Sequence, residues 1–168
     1  METVFIYLRL LIVAAWLGAA LLFAVSIAPA AFAVLPTREL TGQITARVLA
    51  MLNISGTLLG AAALVSILIF TARRYRTRFF WIETVSLFLL TAACAVGQWV
   101  FAAQTADLRA RIGRPIDELA ADDALRLSVE AWNEWSVLML IVAMASALLA
   151  VTLEARRKAT AQQRNSYF

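Results

Sequence analysis

The chain has 168 residues, of which 62% are hydrophobic and 15% are charged, with a mean hydropathy of +0.80. This composition excludes an ordinary soluble domain, in which about a quarter of the residues are charged. The chain has no histidine and one cysteine, Cys94. These two counts exclude an intramolecular disulfide, histidine-based acid–base catalysis, and any haem, copper, zinc or chlorophyll site that needs a histidine ligand.

The formal net charge of +4 does not indicate a nucleic-acid surface. The basic residues gather at the ends of apolar runs, where membrane topology requires them. We expect the lipid bilayer and other membrane protein subunits as partners, and no nucleic acid.

The first apolar run covers about residues 5–33 and exceeds the roughly 20 residues that a helix needs to cross a bilayer. It contains Arg9 near its start and Pro29 near its end. Pro29 is expected to bend or end the helix, because proline lacks a backbone donor and clashes one turn back. The small residues around Pro29 also fit a signal-peptide cleavage site. A retained span is favoured, because the stretch from Leu10 to Ala28 is longer than a usual signal-peptide core.

The second span is predicted at about residues 48–70, after a polar connection over 35–47. Gly56 and Gly60 lie four residues apart in this span, a spacing that lets two helices approach closely. Packing within the bundle is favoured over a dimer or partner face. Two glycines of the first and third spans are expected to act in the same way: Gly18 and Gly97.

Four arginines lie between the second span and the third: Arg73, Arg74, Arg76 and Arg78. Each would cost about 2.5–3.5 kcal/mol at the bilayer centre. The cluster therefore predicts a turn outside the membrane, on the cytoplasmic face by the positive-inside rule.

The third span is predicted at about residues 80–103 and the fourth at 131–153. The outside loop between them, 104–130, contains four arginines and six acidic residues. We expect a helical extension, a turn at Gly113–Pro115, a short amphipathic helix and an aspartate cap before the fourth span. The acidic residues lack the spacing of a calcium loop, and they are interpreted as a solvated face.

These elements predict an all-α integral membrane protein, a four-helix up-down bundle over residues 1–153 with both termini inside the cell. A basic cytoplasmic tail follows at 154–168. The expected location is the bacterial inner membrane, with several membrane crossings.

Polar side chains within or at the edges of the spans are candidates for helix–helix hydrogen bonds or for a solute site: Asn53, Glu83, Gln98, Asn133 and Ser136. Asn53 is expected to hydrogen-bond across helices. An intramembrane carboxylate is a functional hypothesis by default. For Glu83, the nearby arginine turn instead favours a salt bridge at the membrane interface.

The sequence resembles the domain of unknown function 4149 family. The resemblance rests on Trp16-Leu17-Gly18, Ala28-Pro29 and Leu35-Pro36 near the start, and on a pattern from Leu108 to Arg126 in the outside loop. It implies a four-helix membrane protein with eukaryotic transmembrane relatives. The family often carries a histidine a few residues before a serine at the start of the last span. If Ser136 is that serine, Asn133 takes the place of the histidine, which puts any activity of that imidazole in doubt.

The sequence offers no nucleophile–base pair, no metal-ligand cluster and no phosphate-binding glycine loop. We therefore expect no enzyme activity, no metal site and no identifiable cofactor, although lipids or pigments can fill grooves between helices without histidine ligation. The favoured function is a structural or accessory subunit of a larger membrane complex, for example a respiratory or photosynthetic one. The alternative is a transporter for small solutes or for metal efflux that acts as an oligomer.

The predicted topology can be tested by labelling of single cysteines in a chain that carries Cys94→Ser. Arg76→Cys should resist an impermeant thiol reagent in intact cells and react after permeabilisation, because the arginine turn is expected in the cytoplasm. Thr37→Cys, in the connection expected outside, is the control that should react in both conditions. Ready labelling of Arg76→Cys in intact cells would overturn this topology.

Overall fold

The computed structural model describes residues 2–70, 78–113, 116–120 and 122–165. Every regular element in this part of the chain is helical. Three of the predicted topology residues, Arg73, Arg74 and Arg76, lie outside the described residues, as does the side chain of Arg78.

The described residues form six α-helices: α1 (Glu2–Leu22), α2 (Ala28–Val34), α3 (Arg38–Phe70), α4 (Arg78–Val96), α5 (Ala103–Ile112) and α6 (Ala124–Asn165). Two π-helical turns, Phe23–Ile27 and Gly97–Ala102, join α1 to α2 and α4 to α5. The result is four stretches long and apolar enough to cross a membrane: Tyr7–Val34, Glu39–Ile69, Phe80–Ile112 and Ala124–Arg156. By length and composition these stretches indicate a multi-pass helical membrane protein, and we call them the first to fourth spans.

Pro29 does not end the first span. The π-turn at Phe23–Ile27 ends two residues before it, and α2 continues through Pro29 to Val34. A proline cannot bond to the carbonyl one turn back and clashes with it. In the π-turn the Ala28 amide donates to the Phe23 carbonyl, so the helix is wider directly before the proline.

The second span begins earlier than predicted. Most of the expected polar connection over 35–47 is helical, and only residues 35–37 separate α2 from α3. The Thr37 hydroxyl accepts a hydrogen bond from the Leu40 amide at 3.3 Å, the arrangement of an N-cap. This cap and the preceding Pro36 explain why the helix starts at Arg38 rather than ten residues later.

The segment between the third and fourth spans has the predicted helical extension, whereas residues 114 and 115 of the predicted turn lie outside the described residues. α5 ends at Gly113, whose φ of 64° is the left-handed conformation of a helix C-cap. A 3-10 turn at Ile116–Glu118 replaces the expected amphipathic helix. Asp123 then caps α6, since its Oδ1 accepts a hydrogen bond from the Leu125 amide at 2.8 Å.

The four spans pack as a ring, in which the first and third spans each contact both the second and the fourth. Buried apolar side chains from all four spans form one core. Trp16 lies in this core, and its indole Nε1 donates a hydrogen bond to the Leu52 carbonyl at 2.9 Å. The large apolar side chains on the outside of the ring are exposed, as expected for a surface that faces lipid.

Three of the four predicted packing glycines lie at close helix contacts. A Cβ at Gly56 would lie 2.8 Å from the Trp16 ring, one at Gly60 2.5 Å from Thr91 Oγ1, and one at Gly97 3.1 Å from Asn53 Nδ2. Gly18 differs, because it is exposed and a Cβ there would have no described atom within 4 Å.

α6, the helix of the fourth span, continues without a break past residue 153 to Asn165. Glu154, expected in a solvated tail, is 5% exposed and belongs to the packed part of the molecule.

Gly56→Leu should destabilise the isolated protein by about 1–3 kcal/mol, the usual cost of overpacking a core. The added side chain would meet the Trp16 ring, which its hydrogen bond to Leu52 holds in place. Thermal unfolding in detergent measures this cost. Gly18→Leu is the matched control and should leave the melting temperature nearly unchanged; equal losses in both variants would contradict the packing described here.

Candidate functional site

A buried ion cluster joins three spans at one end of the ring, and we call it the Arg9 cluster. Arg9 Nη2 donates hydrogen bonds to Glu83 Oε1 and to Glu154 Oε1, each at 2.7 Å. The three residues are between 1% and 5% exposed. Charge-assisted hydrogen bonds of this length are among the stronger polar contacts in proteins.

The three helices bring these residues together from distant parts of the chain. Arg9 lies near the start of the first span, Glu83 near the start of the third, and Glu154 near the end of the fourth. Glu83 forms a buried salt bridge with Arg9 of the first span. The salt bridge predicted between Glu83 and the arginine turn involves residues outside the described part of the chain. Neither Arg9 nor Glu154 was among the predicted site residues. The sequence signal that could have identified Arg9 is its position as a lone arginine inside an otherwise apolar run.

A cleft of about 440 Å³ lies at the opposite end of the ring, and we call it the Arg109 cleft. It is lined by all four spans. Its polar lining includes Gln43, Arg47, Thr105, Arg109, Asn133 and Ser136. Its apolar lining includes Phe23, Phe32, Leu49, Val137 and Leu140. Both π-turns contribute to the wall, through Phe23 and Ala24 from the first and Ala102 from the second.

Arg109 holds the third span to the second at this end. Its Nη1 donates a hydrogen bond to Glu39 Oε1 at 3.3 Å, and the two side chains are 26% and 23% exposed. A Cβ at Gly42 would lie 2.7 Å from Arg109 Nη2, so a glycine allows the guanidinium to lie against α3. Arg109 Nε is buried without a hydrogen-bond partner among the described residues.

A second cavity of about 270 Å³ adjoins the first. The two cavities share four lining residues: Phe32, Thr45, Arg109 and Asn133. The second one also contains charged residues of both signs, Glu39, Arg126 and Glu130. Arg126 is paired with Glu130 at 3.1 Å. This cavity is therefore more polar and closer to charge balance than the Arg109 cleft.

The predicted polar residues divide between these places. Asn133 and Ser136 line the Arg109 cleft, and the Ser136 hydroxyl donates to the Trp132 carbonyl at 3.1 Å. Asn53 is 1% exposed, but its Nδ2 has no hydrogen-bond partner among the described residues, so it does not make the expected bond across helices. Gln98 Oε1 is likewise buried without a partner in that part of the chain.

Within the described residues, no group of three histidine, cysteine or acidic side chains could hold a metal ion. In the Arg9 cluster both carboxylates accept hydrogen bonds from Arg9 Nη2, while Arg9 Nε is buried without a partner among the described residues. The Arg109 cleft, in contrast, is an apolar groove with a few converging polar groups, which is the usual form of a small-molecule site.

Comparison of the chain with protein-family models, with curated proteins and with solved structures finds no match in any of the three. What the fold defines is the class, a helical membrane protein with four candidate spans. The resemblance to the domain of unknown function 4149 family stays a prediction.

Arg9→Met should destabilise the protein by about 3–5 kcal/mol, because it would leave two carboxylates buried without their arginine. The triple variant Arg9→Met, Glu83→Gln, Glu154→Gln should recover much of this loss, since it buries no charge. Thermal unfolding in detergent compares the two.

Arg111→Gln serves as the control, because its ion pair with Asp107 is largely exposed and should contribute at most about 1 kcal/mol. A single variant as stable as the wild type, or a triple variant no better than the single one, would contradict this role of the Arg9 cluster.

Proposed function

We propose that this chain is a non-catalytic accessory subunit, which packs against a larger membrane complex through one face of its first span. Four small residues on that face are exposed: Ala14, Ala15, Gly18 and Ala19. Leu11 and Leu22 lie above and below them and are 68% and 57% exposed. We call these six residues the Gly18 face.

The spacing of the Gly18 face places all six residues on one side of a helix. Small residues that repeat every three or four positions let another transmembrane helix approach closely. Gly56 and Gly60 serve this purpose within the chain, whereas the Gly18 face has no such partner among the described residues. This single observation carries the proposal, and the occupant we propose is a transmembrane helix of a different protein.

The proposed setting is the bacterial inner membrane, with an up-down arrangement of the spans and both termini in the cytoplasm. The arginine-rich segment between the second and third spans supports this orientation. A respiratory or photosynthetic assembly is one host of this kind. Membership of the domain of unknown function 4149 family is part of the same proposal and rests on the sequence resemblance alone.

A second candidate, an oligomeric transporter for a small solute or a metal ion, is favoured by one observation. Asn53 Nδ2 and Gln98 Oε1 are both buried without partners among the described residues. Asn53 follows the cleft residues Leu49 and Ala50 by one turn of the same helix. Polar groups inside a membrane often mark a path for a solute, and π-turns such as the one containing Gln98 often occur at functional sites.

Gly18→Leu should release the protein from its host complex while leaving its own stability nearly unchanged. The measurement is native sizing of membranes extracted in a mild detergent, followed by mass spectrometry of the band that contains the chain. Wild type should migrate with a large assembly of fixed stoichiometry, and Gly18→Leu should migrate alone.

Ala62→Leu adds the same bulk at an exposed position of the second span and is the matched control. Loss of the assembly in both variants, or a wild-type protein that runs alone, would contradict the accessory function. A small homo-oligomer that Gly18→Leu disperses would contradict it as well and would favour the transporter.

A further inference from the structure

We propose that the Arg109 cleft binds one anionic phospholipid, with the phosphate at Arg109 and one acyl chain along the apolar wall. This inference goes beyond the accessory function, which concerns the Gly18 face. It concerns a ligand that the chain itself binds, at the end of the ring opposite the Arg9 cluster.

The lining of the cleft changes in character along its length. Residues at the mouth are polar and come from the ends of the spans: Gln43, Arg47, Thr105, Arg109 and Asn133. Residues farther along the spans are apolar: Phe23, Ala24, Leu49, Ala50 and Leu140. Phe23 precedes Val34, the end of the first span, by a distance of roughly 16 Å of helix. The cleft thus runs from the interface into the hydrocarbon region, as a lipid does.

The charge of the cleft selects an anion. Two arginines, Arg47 and Arg109, are among its lining residues, and no acidic residue is. Glu39, which pairs with Arg109 Nη1, lines the neighbouring cavity instead. A ligand in the cleft therefore meets two arginines and no acidic lining residue, with the charge of Arg109 partly balanced by Glu39.

Arg109 also has an unused donor. Its Nε is buried and has no hydrogen-bond partner among the described residues, and buried polar groups of proteins are almost always paired. The salt bridge to Glu39 uses Nη1, on the other side of the guanidinium group. A phosphate oxygen would supply the missing acceptor once a small movement of the Arg109 side chain uncovers Nε, which has almost no accessible surface. Arginine binds phosphate with two parallel hydrogen bonds where the geometry allows.

The size and the opening of the cleft favour a lipid over a soluble anion. A volume of about 440 Å³ is within the range of small-molecule sites, roughly 300–1,000 Å³. An inorganic phosphate ion would leave the apolar part unfilled. Phe32 and Val137, two of the apolar lining residues, are exposed, so the apolar part of the cleft is open to the surroundings. A lipid can therefore enter sideways while its second chain stays in the bilayer.

Native mass spectrometry of the purified full-length protein, titrated with phosphatidylglycerol or with phosphatidylcholine, tests this proposal. Wild type should retain one phosphatidylglycerol molecule and bind phosphatidylcholine more weakly. Arg109→Gln should weaken retention of phosphatidylglycerol about tenfold or more, since it removes hydrogen bonds to a charged group. Arg111→Gln is the control, because Arg111 is on the same helix but is exposed and does not line the cleft.

Arg109→Gln also removes the salt bridge to Glu39, so a second variant keeps the test independent of folding. Val137→Trp leaves that salt bridge intact, fills the apolar part of the cleft and should weaken retention to a similar extent. Competition by inorganic phosphate at millimolar concentration should have little effect on the bound lipid. Equal retention of both lipids, an equal loss in Arg111→Gln, no loss in Val137→Trp, or displacement by phosphate alone would each overturn the proposal.

Discussion

Arg9 is buried near the start of the first span, with its charge paired to carboxylates of the third and fourth spans. A buried arginine is tolerated in a membrane protein only when carboxylates or other acceptors surround it. Glu83 and Glu154 meet this need from two other spans. The cluster therefore fixes three of the four helices at one end of the ring, in both rotation and register. The core packing along the helices follows from this arrangement.

The two ends of the ring differ in how they satisfy their charges. The Arg9 cluster is nearly inaccessible and the hydrogen bonds from Arg9 Nη2 are short. At the other end the Arg109–Glu39 bond is longer and partly exposed. In both places the Nε of the arginine is buried without a partner in the described chain. One end is closed and structural, and the other is open and suited to a ligand. The glycines differ in the same way. Gly56 lies at a close helix contact within the ring, whereas Gly18 is exposed.

The sequence was sufficient to predict four helical spans, because the length and hydropathy of the runs determine them. It also predicted the close contacts at Gly56 and Gly60, whose spacing suits helix packing. It did not predict the partners of Arg9, which lie 74 and 145 residues away and depend on the rotation of each helix. The Arg109 cleft could not be predicted for the same reason, because residues of four separate spans line it and their positions depend on the rotation of each helix. The start of α3 was also mispredicted. The helix begins at Arg38, directly after the Thr37 cap, so the polar stretch before residue 48 is helical.

A structure of the protein extracted with its native lipids and partners, determined by electron cryomicroscopy at side-chain resolution, would show whether the interior of the ring is structural and the molecule acts through its surfaces. We expect an intact Arg9 cluster, a lipid headgroup at Arg109, and a helix of another protein against Gly18. A continuous water-filled path through the ring past Asn53, with an empty cleft and an unoccupied Gly18 face, would contradict this expectation.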